Sequence, residues 1–260
     1  MYLQKSSPIP LYYQLAEVLR EKIRLGALKP RAQLPSEREL SDTYQISRMT
    51  VRQALAYLIR EGYLVARHGL GTFVAEPKLA YDALHLLGFT EEMLLQGAAP
   101  ASQVLEQAVF VPPGAVAADL ALDVGEITVK IVRLRLSQGT PLLLETVYIP
   151  ASLCPGLEQA DLATQSLYSL LENRYGLHLS HARQTFETTT ANSYEAQLFA
   201  IPVGAGMILL EGVTRSDTDQ PVEYFKAIYR GDRFKFAMDS QRGRWPAEAS
   251  NLPRLSVVMR

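Results

Sequence analysis

Apolar positions at helical spacing set the pattern of the first seventy-five residues. Pro10 opens a run in which Leu11, Leu15, Val18, Leu19 and Ile23 form one stripe ending near Gly26, which predicts an amphipathic helix. Ser36 stands three residues before Glu39, a capping box that predicts a second helix from Ser36 to about Tyr44. The chain then turns through Gln45 and Ile46, and Ser47 is placed to cap a third helix from Arg48 to about Glu61. Val51, Ala54, Leu55 and Leu58 fall at i, i+3, i+4 and i+7 of that helix, one buried stripe. Tyr63 to Val74 follows as two short strands around a tip containing Gly69 and Gly71.

Beyond Glu76-Pro77-Lys78 the period changes to strands mixed with short helices. Thr90 is placed to cap a helix from Glu91 to Gln96, Val104–Val111 reads as a strand, and Pro112-Pro113-Gly114 opens a helix through Leu122. Ile127–Leu136 and Leu142–Ile149 flank Gln138-Gly139-Thr140-Pro141, a hairpin by its turn chemistry. Ser166 caps a helix from Leu167 to Tyr175 that Gly176 stops, and Leu179–Thr190 reads as a Thr-rich strand. Asn192 or Ser193 starts a helix to Ala200, and Gly206–Ser216 with Val222–Arg230 forms a second hairpin. The fold class expected is α+β: a winged helix-turn-helix over residues 1–75, a linker over 76–80, an antiparallel α+β domain over 81–238, and an extension over 239–260 with no assigned role.

A net charge of −1 hides an asymmetry: residues 1–78 carry 12 Lys+Arg against 7 Asp+Glu, and the remainder 14 against 20. The basic part is the helix-turn-helix part, as the electrostatics of double-stranded DNA require. Within it Arg48, Thr50, Arg52 and Gln53 lie at the start of the third helix. There Arg can bond both acceptors on a guanine edge and Thr can meet a thymine methyl. Arg67, beside the tip, is a candidate for the minor groove. One such unit reads only a few base pairs, so a homodimer on a pseudo-palindromic operator is expected. The single Cys154 forms no internal disulfide, no run of about 18 apolar residues occurs, and Gln4, Lys5 and Pro8 interrupt the N-terminus. A soluble, cytoplasmic protein is the expectation.

Leu34-Pro-Ser-Glu-Arg38, Ser47-Arg-Met-Thr-Val-Arg52 and Gly69-x-Gly-Thr-Phe73 together resemble the signature of the GntR family of bacterial winged-helix regulators. The resemblance implies DNA contacts from Ser36, Arg38, Arg48, Arg52 and the wing tip at Gly69, with His68 standing where the pattern has Gln or Arg. Gly88-Phe-Thr-Glu-Glu-Met93, Val132-Arg-Leu-Arg135, Ser166-Leu-Tyr168, Val222-Glu-Tyr224 and Tyr229-Arg-Gly-Asp232 are similar to the effector-binding (UTRA) domain of the HutC branch of that family. That domain shares its fold with chorismate lyase.

Arg133 and Arg135 are two apart on a strand and point to one face, where they would repel unless an anion sits between them. A three-residue turn would put Glu145 on that face and a two-residue turn would put it on the other. Solvated sheet arginines are the alternative, and the resemblance favours an anion, because HutC-branch sensors of amino-sugar phosphates look similar at both positions. Ser166 and Thr90, each expected at a helix N-terminus, can cradle a phosphate or simply cap. Phe89, Tyr168, Glu223 and Tyr229 complete the candidate effector site, the last three with the hydroxyl and carboxylate groups a sugar needs.

No cofactor is expected. His178 and His181 are three apart on a strand, hence on opposite faces, so a shared metal does not follow. Neither Gly69-Leu-Gly71 nor Gly204-Ala-Gly206 has the context of a nucleotide loop, Glu91-Glu92 reads as a solvated helix start, and no nucleophile stands beside a base. The expected function is a one-component transcriptional regulator, a repressor by choice, sensing a small anion such as an amino-sugar 6-phosphate. Other acids, a fatty acyl group or a phosphonate, are alternatives within the class, and a lyase-like enzyme is the alternative outside it.

Overall fold

A computed structural model describes residues 3–67, 69–82 and 85–237. His68 and the extension from residue 238 onward therefore lie outside the described residues. The chain divides into two compact units, Met1–Lys78 and Leu79–Arg260.

In the first unit α1 (Leu11–Arg24), α2 (Glu37–Tyr44) and α3 (Arg48–Arg60) precede β1 (Leu64–Arg67) and β2 (Gly71–Val74). The capping box at Ser36 forms: its Oγ accepts from the Glu39 amide at 3.3 Å while Glu39 Oε2 accepts from the Ser36 amide at 2.7 Å. Ser47 Oγ accepts from the Thr50 amide at 3.1 Å and starts α3. Between them Gln45 takes a left-handed φ of 52°, and the Ser41 hydroxyl donates to the Ile46 carbonyl at 2.6 Å, fixing the turn. Leu15 and Leu19 of α1, Leu40 of α2 and the Val51, Ala54, Leu55, Leu58 stripe of α3 close one core with Leu64 and Val74. Burying that apolar set is what holds so small a unit together, at roughly 1.5–3 kcal/mol per large side chain. The segment before α2 adds to the wing: Gln33 bridges Phe73, and the Leu34 amide donates to the Thr72 carbonyl at 2.8 Å.

The second unit is built on a six-stranded antiparallel sheet in the order β4-β5-β6-β9-β8-β7. Its strands are β4 (Pro100–Phe110), β5 (Thr128–Ser137), β6 (Thr140–Pro150), β7 (Leu179–Thr190), β8 (Gly206–Ser216) and β9 (Pro221–Arg230). On one face α6 (Leu167–Tyr175) and α4 (Phe89–Leu95) pack over Ile131, Leu143, Val147, Leu210 and Ala227. On the other, α7 (Ser193–Phe199) packs over Leu134, Leu144 and Met207, and α5 (Gly114–Asp119) over Tyr148.

Several expectations change. The helix at Thr90 begins two residues earlier: Gly88 is the N-cap, its amide donating to Glu91 Oε2 at 3.2 Å, so Thr90 lies inside the first turn and caps nothing. Glycine offers no side-chain acceptor to the first turn, so only the Glu91 half of a capping box forms there. The helix expected to run from Pro112 to Leu122 is only Gly114–Asp119, ended by Leu120 and by Ala121 at a φ of 52°. Leu79 and Ala80, expected in a linker, begin β3 (Leu79–Asp82), which pairs in parallel with β10 (Phe234–Ala237). Parallel pairing of segments so distant in sequence leaves no local turn to read.

Candidate functional site

On the DNA-binding unit, Ser36, Arg38, Arg48, Arg52, Gln53, Arg67 and Gly69 are exposed and Thr50 is half-buried. Arg52 is held in a two-point pair with Glu37, Nε to Oε1 at 3.0 Å and Nη2 to Oε2 at 2.9 Å, and those bonds keep the Glu37 carboxyl below its usual range. An exposed pair of this kind is worth at most about 1 kcal/mol, so it orients the guanidinium and yields to a stronger acceptor. Arg38 is 3.9 Å from Asp42, and Thr50 Oγ1 shares a hydrogen bond with Ser47 Oγ. Arg67 lies over the Phe73 ring, 4.8 Å from its centroid, and Gly69 turns the wing with a φ of 72°. Sequence reasoning missed two apolar members of this face, Met49 in the first turn of α3 and Leu70 at the wing tip, both about two-thirds exposed. Their exposure in an otherwise well-packed unit was the signal available.

In the second unit all nine residues singled out for the effector line one cavity: Phe89, Thr90, Arg133, Arg135, Glu145, Ser166, Tyr168, Glu223 and Tyr229. Strand register puts Glu145 there. Gln138 and Gly139, both at positive φ, make a tight two-residue turn, since Ser137 pairs with Thr140. That turn alone would send Glu145 to the opposite face. A bulge restores it: Leu136 pairs with Pro141 but Arg135 with Leu143, so Leu142 is an extra residue and Arg133 comes to face Glu145.

Arg133 donates from Nε and Nη2 to Glu145 Oε2, at 3.0 and 2.5 Å, and Arg135 Nη1 is 3.9 Å from the same oxygen. Arg135 also donates from Nη2 to Thr90 Oγ1 at 2.9 Å and lies over the Phe89 ring at 4.6 Å. Both guanidiniums are 2% exposed. Arg133 Nη1, Arg135 Nε and Arg135 Nη1 are buried without a hydrogen-bond partner among the described residues. Burial lowers the Arg135 pKa to about 10, which leaves it charged. Burial alone would raise Glu145, but Arg133 and Arg135 hold it low.

Glu223 stands apart from the arginines. Its Oε2 accepts from Tyr168 Oη at 3.0 Å and Thr214 Oγ1 at 2.9 Å. Burial first, and the nearby Glu145 second, push its pKa up to about 7. Tyr229 is packed by Tyr81, Phe234 and Phe236, and burial raises its hydroxyl well above the usual value. Ser166 Oγ caps α6 by accepting from the Ser169 amide at 3.3 Å, so any anion there would meet the remaining first-turn amides rather than the hydroxyl. Tyr81, Leu86, Leu87 and Gln184 also line the cavity and were missed. Gln184 arrives by pairing with Gly212, where an added Cβ would sit 2.3 Å from the Arg183 carbonyl oxygen, a close approach of two strands with no local signal. Among the described residues no cluster of three or more His, Cys, Asp or Glu could hold a metal, and no helix is long and apolar enough to cross a membrane.

Comparison with known proteins gives these two units their class. Residues 11–74 match the bacterial regulatory proteins of the gntR family, and residues 95–235 match the UTRA domain. The chain is 37% identical over 236 residues to the HTH-type transcriptional repressor NagR of Bacillus subtilis, covering 91% of this chain and 97% of that one. It is 25% identical to a probable fructoselysine utilization operon transcriptional repressor of Escherichia coli, over 89% of this chain and 95% of that one. The crystal structure of PhnF from Mycobacterium smegmatis superposes with a TM-score of 0.63 at 28% identity, covering 88% of this chain and 99% of that one. An N-terminal helix-turn-helix with an exposed arginine face, joined to a sheet that encloses a cavity, thus has its counterpart in whole repressors, and the chain belongs to the GntR family of bacterial transcriptional regulators, with a UTRA domain behind its DNA-binding unit.

Proposed function

We propose that this protein is a cytoplasmic, homodimeric repressor whose UTRA cavity binds a small phosphorylated amino sugar and thereby lowers operator affinity. The observation that carries the reading is the set of three guanidinium nitrogens on Arg133 and Arg135 that are buried without a hydrogen-bond partner among the described residues, where Glu145 is bonded to Arg133 and lies 3.9 Å from Arg135. Buried charged donors without acceptors are costly, and a phosphate supplies several acceptor oxygens and the missing negative charge. Tyr168, Glu223, Thr90 and Gln184 around the same cavity offer partners for sugar hydroxyls and an amine. The fructoselysine repressor among the relatives is named for a sugar–amine conjugate, which supports an amino sugar over a fatty acyl group or a phosphonate.

The test couples two titrations. Glucosamine 6-phosphate is expected to raise the melting temperature of the protein and to weaken its binding to its operator fragment, with a coupling on the order of 1–3 kcal/mol, and the operator must weaken ligand binding by the same factor. A panel of sugar phosphates, fatty acids and phosphonates run beside it identifies another acid if glucosamine 6-phosphate has no effect. Recovery of each ligand chemically unchanged distinguishes a sensor from an enzyme.

Base reading by Arg52 has its own test. Arg52→Ala is expected to weaken operator binding by about 1–3 kcal/mol and to relax sequence preference, as loss of a bidentate base contact does. An equal loss on random DNA of the same length would make Arg52 a phosphate contact instead.

A further inference from the structure

The tip of the wing is tied down by a residue from outside it. Arg67 pairs with Gly71 to close the hairpin, and the Leu70 amide donates to the Arg67 carbonyl at 3.0 Å. The Leu70 carbonyl is held as well, accepting from Gln33 Nε2 at 2.8 Å. Gly71, at a φ of 115°, makes room for that contact, since an added Cβ would stand 2.9 Å from Gln33 Nε2. With both of its backbone groups bonded, Leu70 is fixed in place while its side chain stays 64% exposed. An apolar side chain held in water in this way contributes little burial to folding.

Gln33 belongs to the segment that enters the helix-turn-helix. It bridges Phe73, the Leu34 amide donates to the Thr72 carbonyl, and Pro35 leads directly into Ser36, the cap of α2. The same few residues therefore set both the start of α2 and the position of the wing tip. Arg67, bonded to Leu70 through its carbonyl, brings a positive charge to the same tip. We propose that Leu70 is the residue with which the wing reads the DNA minor groove, selecting A·T over G·C pairs, and that Gln33 is the positioning residue that aims it. This role is independent of the effector and rests only on DNA binding by the first unit.

The preference follows from what the groove floor presents. A·T and T·A pairs offer only acceptors there, whereas a G·C pair adds the exocyclic amino donor of guanine. Leucine has no acceptor, so covering a G·C pair strips water from one polar group more and returns no bond for it. Leucine is also among the apolar side chains that minor-groove proteins insert alongside arginine. An apolar contact has no direction of its own, so a tip left to swing would lose most of this discrimination. Gln33 supplies the direction by fixing the Leu70 backbone to the segment that starts α2.

The test uses the full chain and duplexes that the native protein enriches from a random-sequence pool. Those duplexes are expected to carry A·T pairs flanking the positions read by α3. Replacing one such A·T pair by G·C should weaken binding about tenfold, while replacing it by inosine·cytosine, which lacks the amino group, should leave binding unchanged. Leu70→Met is expected to keep the preference and Leu70→Ala to lose it. Leu70→Gln, whose amide oxygen can accept from the amino group, is expected to tolerate G·C. Gln33→Met is expected to lose the flanking preference with the α3 positions still read, and to cost nothing further in a Leu70→Ala background. Leu70 and Gln33 are both exposed, so unchanged melting temperatures will verify the fold. Flanks without preference, equal losses on G·C and inosine·cytosine, or a preference that survives Leu70→Ala would overturn the reading by Leu70. Additive losses from Gln33→Met and Leu70→Ala would mean that Gln33 touches DNA itself and would overturn its positioning role. Failure to enrich any sequence would overturn base reading by the first unit as a whole.

Discussion

Removing the cavity's charges together, as Arg133→Met/Arg135→Met/Glu145→Gln, is expected to lower affinity for an anionic effector by at least about 3 kcal/mol, roughly a hundredfold or more, and to abolish the response of operator binding. The figure follows from losing two or more charge-assisted hydrogen bonds at about 1.5–3 kcal/mol each. Glu145 has to change with the arginines. Alanine at both arginines would leave its buried carboxylate without the two groups that hold it ionised, a loss that typically costs about 3–5 kcal/mol and would confuse folding with sensing. Methionine keeps most of the volume, and the glutamine needs no counter-charge. Ligand-free operator binding should stay near the native value, since none of the three residues belongs to the DNA-binding unit. Measuring operator binding by fluorescence anisotropy and ligand binding by calorimetry separates the outcomes. Undiminished ligand affinity places the anion elsewhere. Loss of operator binding without ligand means the trio holds the fold or the dimer, and the phosphate clamp is withdrawn.

The helix-turn-helix was legible because its determinants are local. A cap and its partner are three residues apart at Ser36 and Glu39, and the α3 stripe at Val51, Ala54, Leu55 and Leu58 repeats within two turns. Such signals survive without knowledge of the rest of the chain. Thr90 shows the limit of that reasoning. A threonine before two glutamates reads as a cap, yet the backbone geometry falls to Gly88 with Glu91, and the threonine hydroxyl turns to Arg135 from a different element.

The nine candidate residues that share one cavity were legible residue by residue but not as an arrangement. Alternation along β5 gives Arg133 and Arg135 one face, whereas the place of Glu145 depends on the single extra residue Leu142. Turn chemistry predicts a hairpin at Gln138-Gly139-Thr140-Pro141 but leaves its length open, and the two-residue turn that forms would, taken alone, give the wrong face; a one-residue shift reverses every side chain of a strand. The bulge occurs beside Pro141, which lacks the N–H a regular ladder would use. Glu223, Thr214 and Gln184 meet across β9, β8 and β7, and that meeting depends on the register of three strands at once. β3 and β10 join opposite ends of the second unit and had no local signal.

Glu223 gives the second large effect, a dependence on pH with a definite sign. Its folded pKa, about 7, lies above the ordinary carboxyl value of 4.5, so the folded chain holds this proton more tightly than the unfolded one. Its contribution to stability is therefore fully present below about pH 4.5 and is lost as pH rises through about 7, on the order of 3 kcal/mol in all. The groups facing it fix the cause: Glu145 repels its charged form, while Tyr168, Thr214 and the more distant Arg133 favour that form without overcoming burial. An anion bound between Arg133 and Arg135 adds to the repulsion, so effector affinity should fall over the same interval around pH 7. A sugar phosphate also titrates near pH 6, and a free sugar amine near pH 8, which would obscure the slope; N-acetylglucosamine 6-sulfate, ionised throughout and without a titrating amine, removes both contributions. Between pH 5.5 and 8.5 the native protein is expected to lose stability and sulfate-ester affinity relative to Glu223→Gln, whose amide keeps the acceptor for Tyr168 and Thr214 without a proton to lose. Parallel pH profiles for the native chain and Glu223→Gln, in both melting temperature and ligand affinity, would show that Glu223 does not titrate in this interval and has no part in the response.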